Sequence, residues 1–439
     1  MTESRPTPPR LDGSWQRLLG GSGRVLVLKV AGAFGGFLFS LLVARKFGDD
    51  ALGRAELFVL AITVGATLLR LGAEGAVVKL FSGWSSTGQY GRIALRFRSW
   101  SRPICAVALA VACLGVLAPM DLFLIRLDGW LGWAIGAWVL IGWSGEALRG
   151  TGRVGWYALL QPGWWMLLAG IFVVLLGLQP VPALSVTGGV LAVLGMVGAM
   201  SLFARQAGKE TPELQEGART DSQTLMQLAG PIWLGSMLHL VLSWTDTALI
   251  AAWLEASDVA HYRAAFRLAA LLTFTQFAVN ALGAPTFGAL HAKGDAEALR
   301  RAVHRIGWMN TAVALPGLLF LVALGTWLLG FWGPAFAQPH VYQALLILAA
   351  GQCFNALCGP VMYLLNMTGG ERAGLFILAI SAVVQLTAAA FLVPEMGLIG
   401  AAWSAALGML FWNALGVVYI RRQHGFLMIS LLNGWWKQR

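Results

Sequence analysis

Ile104-Cys-Ala-Val-Ala-Leu-Ala-Val-Ala-Cys-Leu-Gly-Val-Leu117 carries no charge and shows no alternation of apolar with polar residues. Trp164-Trp-Met-Leu-Leu-Ala-Gly-Ile-Phe-Val-Val-Leu-Leu-Gly-Leu178 reads the same way. Such blocks recur along the chain at about 17–25 residues, the length a helix rising about 1.5 Å per residue needs to cross ~30 Å of hydrocarbon. Water is absent there, so backbone groups must pair within a helix or around a closed barrel. Barrel strands alternate over segments of about ten residues. These blocks do not alternate, so they read as helices.

Composition agrees. Of 439 residues, 58% are hydrophobic and 12% charged, with a mean hydropathy of +0.70. Soluble domains carry about 25% charged residues, so this chain has too little polar surface to face water. The expectation is an all-α integral membrane protein of about twelve spans: 25–44, 57–71, 104–124, 130–148, 159–176, 183–203, 225–252, 267–287, 309–329, 342–365, 375–391 and 397–420. A polar stretch between spans six and seven divides the chain into two six-helix lobes, residues 1–204 and 225–421. They are joined by a linker at 205–224 and followed by a tail at 422–439. The basic, polar first 24 residues lead into a long apolar block without a cleavage site, which reads as a retained first span.

Charge fixes the orientation. Of 31 Lys and Arg, twenty-three fall in segments on the side of the amino terminus and six on the other, with Lys29 and Arg70 inside spans. Positive residues stay cytoplasmic, so both termini are expected inside, in the bacterial inner membrane. The net charge of +11 is therefore a topology signal, not a sign of nucleic acid. The exit of span one, Val43–Gly53, can be laid on Ala251–Ala260 after span seven, which suggests parallel repeats with a path between them. Gly32-x-x-x-Gly36 fits a close-packing helix face.

Some chemistry is absent from the pattern. No P-loop occurs, the histidines are not spaced as a metal pair, and the four cysteines lie inside apolar blocks as buried small hydrophobes. No loop on the outer side exceeds about fifteen residues by these spans. The reading is a transporter and not an enzyme, without a cofactor or metal.

Ionised side chains in hydrocarbon cost at least ~2.5–3.5 kcal/mol on insertion scales, and those that persist face a cavity or a partner. Lys29 and Arg70 lie near the inner ends of spans one and two, where snorkelling is the alternative. Glu74 stands four residues after Arg70, and Glu146 three before Arg149, each placed for an ion pair. Arg263 and Arg267 open span eight. Asp246 is the deepest acid, with ion coupling and a salt bridge to Arg267 as its two readings.

Several stretches resemble the polysaccharide-transporter branch of the multidrug/oligosaccharidyl-lipid/polysaccharide exporters, which includes Wzx-type flippases. They are Leu42-Val-Ala-Arg-Lys-Phe-Gly48 with Gly53 and Leu69-Arg-Leu-Gly-Ala-Glu-Gly-Ala76, and then Leu228-Ala-Gly-Pro-Ile232 with Trp244-Thr-Asp246. Tyr262-Arg-Ala-Ala-Phe-Arg-Leu268 follows, then Gly359-Pro-Val-Met-Tyr-Leu-Leu-Asn-Met-Thr-Gly369 and Gly397-Leu-Ile-Gly-Ala-Ala402. The order runs from span one to span twelve. The resemblance implies two lobes around a central, often cationic cavity that alternates its opening. It also implies a polyprenyl-diphosphate-linked oligosaccharide substrate moved from the cytoplasmic to the periplasmic leaflet. Leu69–Ala76 is also similar to the lipid-linked peptidoglycan-precursor flippase, whose cavity arginines in spans two and eight match Arg70 and Arg267. Its basic residues in span one align with Ala33 and Phe39, the first of them one turn from Lys29, a departure from that flippase's pattern.

The expected substrate-binding cations are thus Arg70, Arg267 and Lys29. The expected ion-coupling acids, for H+ or Na+, are Asp246 with Glu74 and Glu146. The expected partners are the lipid-linked oligosaccharide, membrane lipids and a glycan polymerase machinery. An ion-coupled efflux pump for amphiphilic cations is the alternative, and it would call for acidic cavity walls.

Overall fold

The computed structural model describes residues 14–117, 119–122, 125–207 and 218–428. The first half runs α1 (Ser14–Phe47), α2 (Asp49–Arg70), α3 (Ala73–Ser86), α4 (Tyr90–Leu117), α5 (Gly129–Gly150), α6 (Val154–Leu159), α7 (Pro162–Leu175) and α8 (Pro180–Ala207). The second runs α9 (Ala218–Trp253), α10 (Ala256–Ala270), α11 (Phe274–Ala292), α12 (Ala296–Leu329), α13 (Pro339–Cys358), α14 (Val361–Met367), α15 (Glu371–Met396) and α16 (Leu398–His424). The succession repeats: a long helix, a broken pair, two long helices, a short one, two more. The interval from the end of α1 to the end of α9 equals that from the start of α4 to the start of α12. The faint internal likeness in sequence is therefore a repeat of architecture.

Nine helices among the described residues are long and apolar enough to cross a bilayer. α5, the α6–α7 pair and the α10–α11 pair complete twelve passes. The second pass breaks where Leu71 and Gly72 both adopt left-handed backbone, at φ 48° and 78°. Glycine alone takes that conformation freely, and a Cβ on Gly72 would also collide with the carbonyl oxygen of Ala229. The eighth pass breaks at the matching place, in a 3-10 turn over Leu271–Thr273.

Most helix ends lie beyond those of the sequence reading. Pass two extends from Asp49 to Ser86 on either side of its break, not only over 57–71, and pass eight from Ala256 to Ala292, not only over 267–287. Apolar blocks mark the hydrocarbon thickness, whereas a helix continues as long as a neighbour covers its polar turns. Pass three is longer than expected and shifted towards the amino terminus, since α4 starts at Tyr90 and not at residue 104. It ends at Leu117 and is followed by an antiparallel hairpin of β1 (Met120–Leu122) and β2 (Ile125–Leu127). The linker is shorter, since α9 already begins at Ala218.

Within the first half, α5 packs on α2, α3, α4 and α8, and α1 lies on α6 and α7; within the second, α13 packs on α10, α12 and α16. The halves meet where α2 lies on α10 and α9, and α3 on α9. Glycine sets the closest approaches. A Cβ on Gly163 of α7 would strike the backbone of Gly32, and one on Gly35 would meet Leu167, so the Gly32–Gly36 face does pack tightly. The outer surface is apolar. On α8, Val186, Val190, Val193, Leu194 and Val197 are all exposed, a stripe at helical spacing that only lipid covers at low cost. All four cysteines are free: Cys353 and Cys358 are buried as expected, Cys105 is partly buried, and Cys113 is exposed on this outer surface.

Candidate functional site

Among the described residues, buried carboxylates and arginines of the helix array meet at four places, each fixed by a helix contact. The first is the seam between α2 and α10. There a Cβ on Gly53 would collide with the backbone of Ala256, so the two helices touch main chain to main chain. One turn along, Glu56 is 1% exposed. Arg267 Nη2 reaches its Oε1 at 2.6 Å and Arg263 Nε its Oε2 at 3.3 Å. Both arginines belong to the opposite half. Arg263 also lies over the Trp244 ring at 4.3 Å. Arg267 Nη1 is buried with no hydrogen-bond partner, so one carboxylate serves two guanidinium groups. His261 and Asp49 meet at 3.2 Å on the same seam.

The second place is Asp246, 2% exposed in α9. Its Oδ2 accepts from Tyr262 Oη at 2.9 Å, and its Oδ1 from Gln385 Nε2 and Ser404 Oγ, each at 3.0 Å. Four helices of the second half, α9, α10, α15 and α16, supply this cage. Its donors are all neutral. The expected alternative partner of Asp246, Arg267, is bound to Glu56 instead.

Arg70 ends α2 at the third place. Its Nε donates to the Ala66 carbonyl at 3.2 Å and stands 3.5 Å from Glu74 Oε1. The guanidinium fills the space left by the missing side chain of Gly142 on α5. One turn further along α5, Glu146 meets Arg149 at 2.7 Å. Arg70, Glu74 and Glu146 thus share one corner of the first half, while Arg267 lies on the seam. The side chain of Lys29 lies outside the described residues.

The fourth place closes the face at which α1 begins and α16 ends. Asp221, in the first turn of α9 and 4% exposed, is held by Arg92 and Arg96 of α4. Arg96 Nε lies 2.7 Å from Oδ2, Arg92 Nε donates to the same oxygen at 3.2 Å, and Arg92 Nη2 bonds Oδ1. Trp100 Nε1 donates to Ser222 Oγ at 3.0 Å beside it, and Arg92 lies over Trp84 at 4.5 Å. This contact also joins the two halves.

Sequence reasoning missed Glu56, Arg92, Arg96 and Asp221, because each stood outside the apolar blocks and was read as loop. Asp246 is not the only buried carboxylate of the membrane region, since Glu56 is as well covered. The histidines are also closer than their spacing suggested: the rings of His291 and His424 stand 5.8 Å apart. Among the described residues, no group of three or more His, Cys, Asp or Glu could hold a metal ion.

Two broken passes at equivalent places, in two repeats that meet along α2 and α10, match solved transporters over almost the whole chain. The lipid II flippase MurJ in an inward closed conformation superposes with a TM-score of 0.66 at 13% identity, covering 94% of this chain and 90% of that one. An inward-facing multidrug resistance MATE family transporter of the MOP superfamily also gives 0.66, at 15% identity, covering 91% and 98%. This is the MOP-superfamily fold. Within it, the MatE family model matches residues 231–391. Two curated relatives come from Haloferax volcanii. The probable low-salt glycan biosynthesis flippase Agl15 is 23% identical over 90% of this chain and 82% of its own length. The probable flippase AglR is 25% identical over 42% of this chain, and the match spans 39% of that protein.

Proposed function

We propose that the chain is a flippase for a polyprenyl-diphosphate-linked oligosaccharide, carrying it from the cytoplasmic to the periplasmic leaflet by alternating access between two six-helix lobes. The observation that carries this reading is the seam site: two buried arginines against one carboxylate, with a guanidinium nitrogen left unpaired. Such a site favours an anionic headgroup. A bare diphosphate cannot enter hydrocarbon, and arginine forks replace its water with paired, charge-assisted hydrogen bonds. The lipid tail stays in the bilayer between the lobes. The relative named a probable low-salt glycan biosynthesis flippase supports the same class of substrate.

In this account the face bearing Asp221 is cytoplasmic and the face bearing Glu56 periplasmic, in the inner membrane. Arg267 binds the diphosphate on the seam, and Arg70 and Lys29 guide it from the cytoplasmic side. Asp246 couples transport to a gradient. Its neutral cage can hold the group as a carboxylate with a bound Na+ or as a protonated acid. Loading it alters contacts to three other helices at once, which is how a small ion shifts a two-state equilibrium. Glu74 and Glu146 are further coupling acids. A glycan polymerase would take the product on the periplasmic side.

The test is genetic and biochemical. Arg267→Ala should abolish surface-glycan assembly while the protein remains folded in the membrane, and Arg267→Lys should restore it in part. The second reading, an ion-coupled efflux pump, draws on the MatE match and the MATE-like fold. Normal glycan levels in Arg267→Ala would favour it.

A further inference from the structure

The Glu56 and Asp221 sites are one device built twice. In each, a single carboxylate from one half is held between two arginines four residues apart on a helix of the other half. In each, the first arginine of the pair lies over a tryptophan. They stand at opposite ends of the helix array, Glu56 near the turn that joins α1 to α2 and Asp221 at the start of α9. The polarity is exchanged: the first half gives the acid at one face and the arginines at the other.

An ion pair across a seam needs one arginine. Two forks side by side suit a ligand with two phosphoryl groups, each able to take a bidentate guanidinium. At the Glu56 clamp the carboxylate occupies the position of one phosphate and leaves Arg267 Nη1 without a partner, whereas at the Asp221 clamp Arg92 also donates to Gln89. A diphosphate brings more charge and more acceptor oxygens, and it is the stronger ligand for the pair.

We infer that both clamps are docking sites for the diphosphate head, used in succession. It rests first between Arg92 and Arg96, then between Arg263 and Arg267, and at each it displaces the resident carboxylate. This rests on the flippase reading and adds to it a second site and a reason for tight coupling. Each carboxylate locks the seam at its own face, so the ligand that fills the clamp also releases the lock.

The experiment is equilibrium binding of farnesyl diphosphate, with inorganic pyrophosphate in parallel, to the full-length chain in nanodiscs. Glu56→Gln and Asp221→Asn each remove a competitor and should tighten farnesyl diphosphate at least tenfold. Glu56→Gln/Asp221→Asn together should bind two equivalents. Arg267→Ala should cancel the gain from Glu56→Gln, and Arg96→Ala that from Asp221→Asn. If Glu56→Gln does not fold, Glu56→Asp, one methylene shorter, should give a smaller gain of the same sign. Unchanged or weaker binding in folded acid variants, with loss in Arg267→Ala, overturns the displacement and leaves the cationic substrate site standing. No binding to any variant overturns both. Equal binding of pyrophosphate assigns the clamps to a free diphosphate and overturns the lipid assignment.

Discussion

Arg267 Nη2 meets Glu56 Oε1 at 2.6 Å across the seam between the two halves, and neither side chain is more than 14% exposed. The contact ties pass two to pass eight one turn along α2 from the main-chain contact at Gly53, so it bears on stability and on opening alike. Removing one member of a buried pair costs about 3–5 kcal/mol when the other is left alone. Arg263 remains beside Glu56, so Arg267→Ala should cost less, about 1–3 kcal/mol. Thermal unfolding in detergent should report this drop, and Glu56→Arg/Arg267→Glu should recover most of it. A double variant no more stable than Glu56→Arg alone would mean that the pair does not hold the seam.

Asp246 gives a separable result. Asp246→Asn keeps the shape but offers an amide donor where Gln385 or Ser404 already donates, a loss of about 1 kcal/mol. The protein should fold and still bind substrate, while transport stops responding to a proton or sodium gradient. Asp246→Arg/Arg267→Asp should not rescue folding, because Arg267 is paired with Glu56. Full recovery in that swap, with gradient response intact, would remove Asp246 from coupling.

Two glycines should respond differently to alanine. At Gly53 the new methyl meets the main chain of Ala256, which cannot move away without parting α2 from α10, and about 1–3 kcal/mol of overpacking is expected. At Gly142 it meets only the end of the Arg70 side chain, which can swing aside. Gly142→Ala should melt within about 1 kcal/mol of wild type yet transport less, because Arg70 has lost its seat. Equal thermal shifts in the two variants would contradict this packing.

The seam also shows where sequence reasoning stops. The twelve passes were legible because hydrocarbon thickness sets block length, and Asp246 stood out as an acid deep inside one block. Glu56 did not, since it precedes the apolar block Leu57–Leu71 by one residue and its burial comes from α10. A signal for it was present. Laying Val43–Gly53 on Ala251–Ala260 and continuing from Gly53 on Ala260 brings Glu56 level with Arg263. The clamp of Asp221 offered less, because Arg92 and Arg96 read as an ordinary basic loop until α4 and α9 were seen to meet. Such pairs are set by tertiary contact between distant segments, and local pattern does not encode it.

Orientation is tested by reporters. Fusions after Leu124 and after Leu254 should read periplasmic, and one after Gly217 cytoplasmic. A periplasmic signal at Gly217 would exchange the roles of the two clamps.

The most direct test is flipping by the purified chain in proteoliposomes. A fluorescent polyprenyl-diphosphate oligosaccharide is supplied in one leaflet, and its arrival in the other is read by quenching with an impermeant reductant. The account predicts transfer that requires the protein, accelerates with an ion gradient and falls to the empty-vesicle rate in Arg267→Ala. No transfer above empty vesicles, together with gradient-driven movement of an amphiphilic cationic dye by the same preparation, would contradict it.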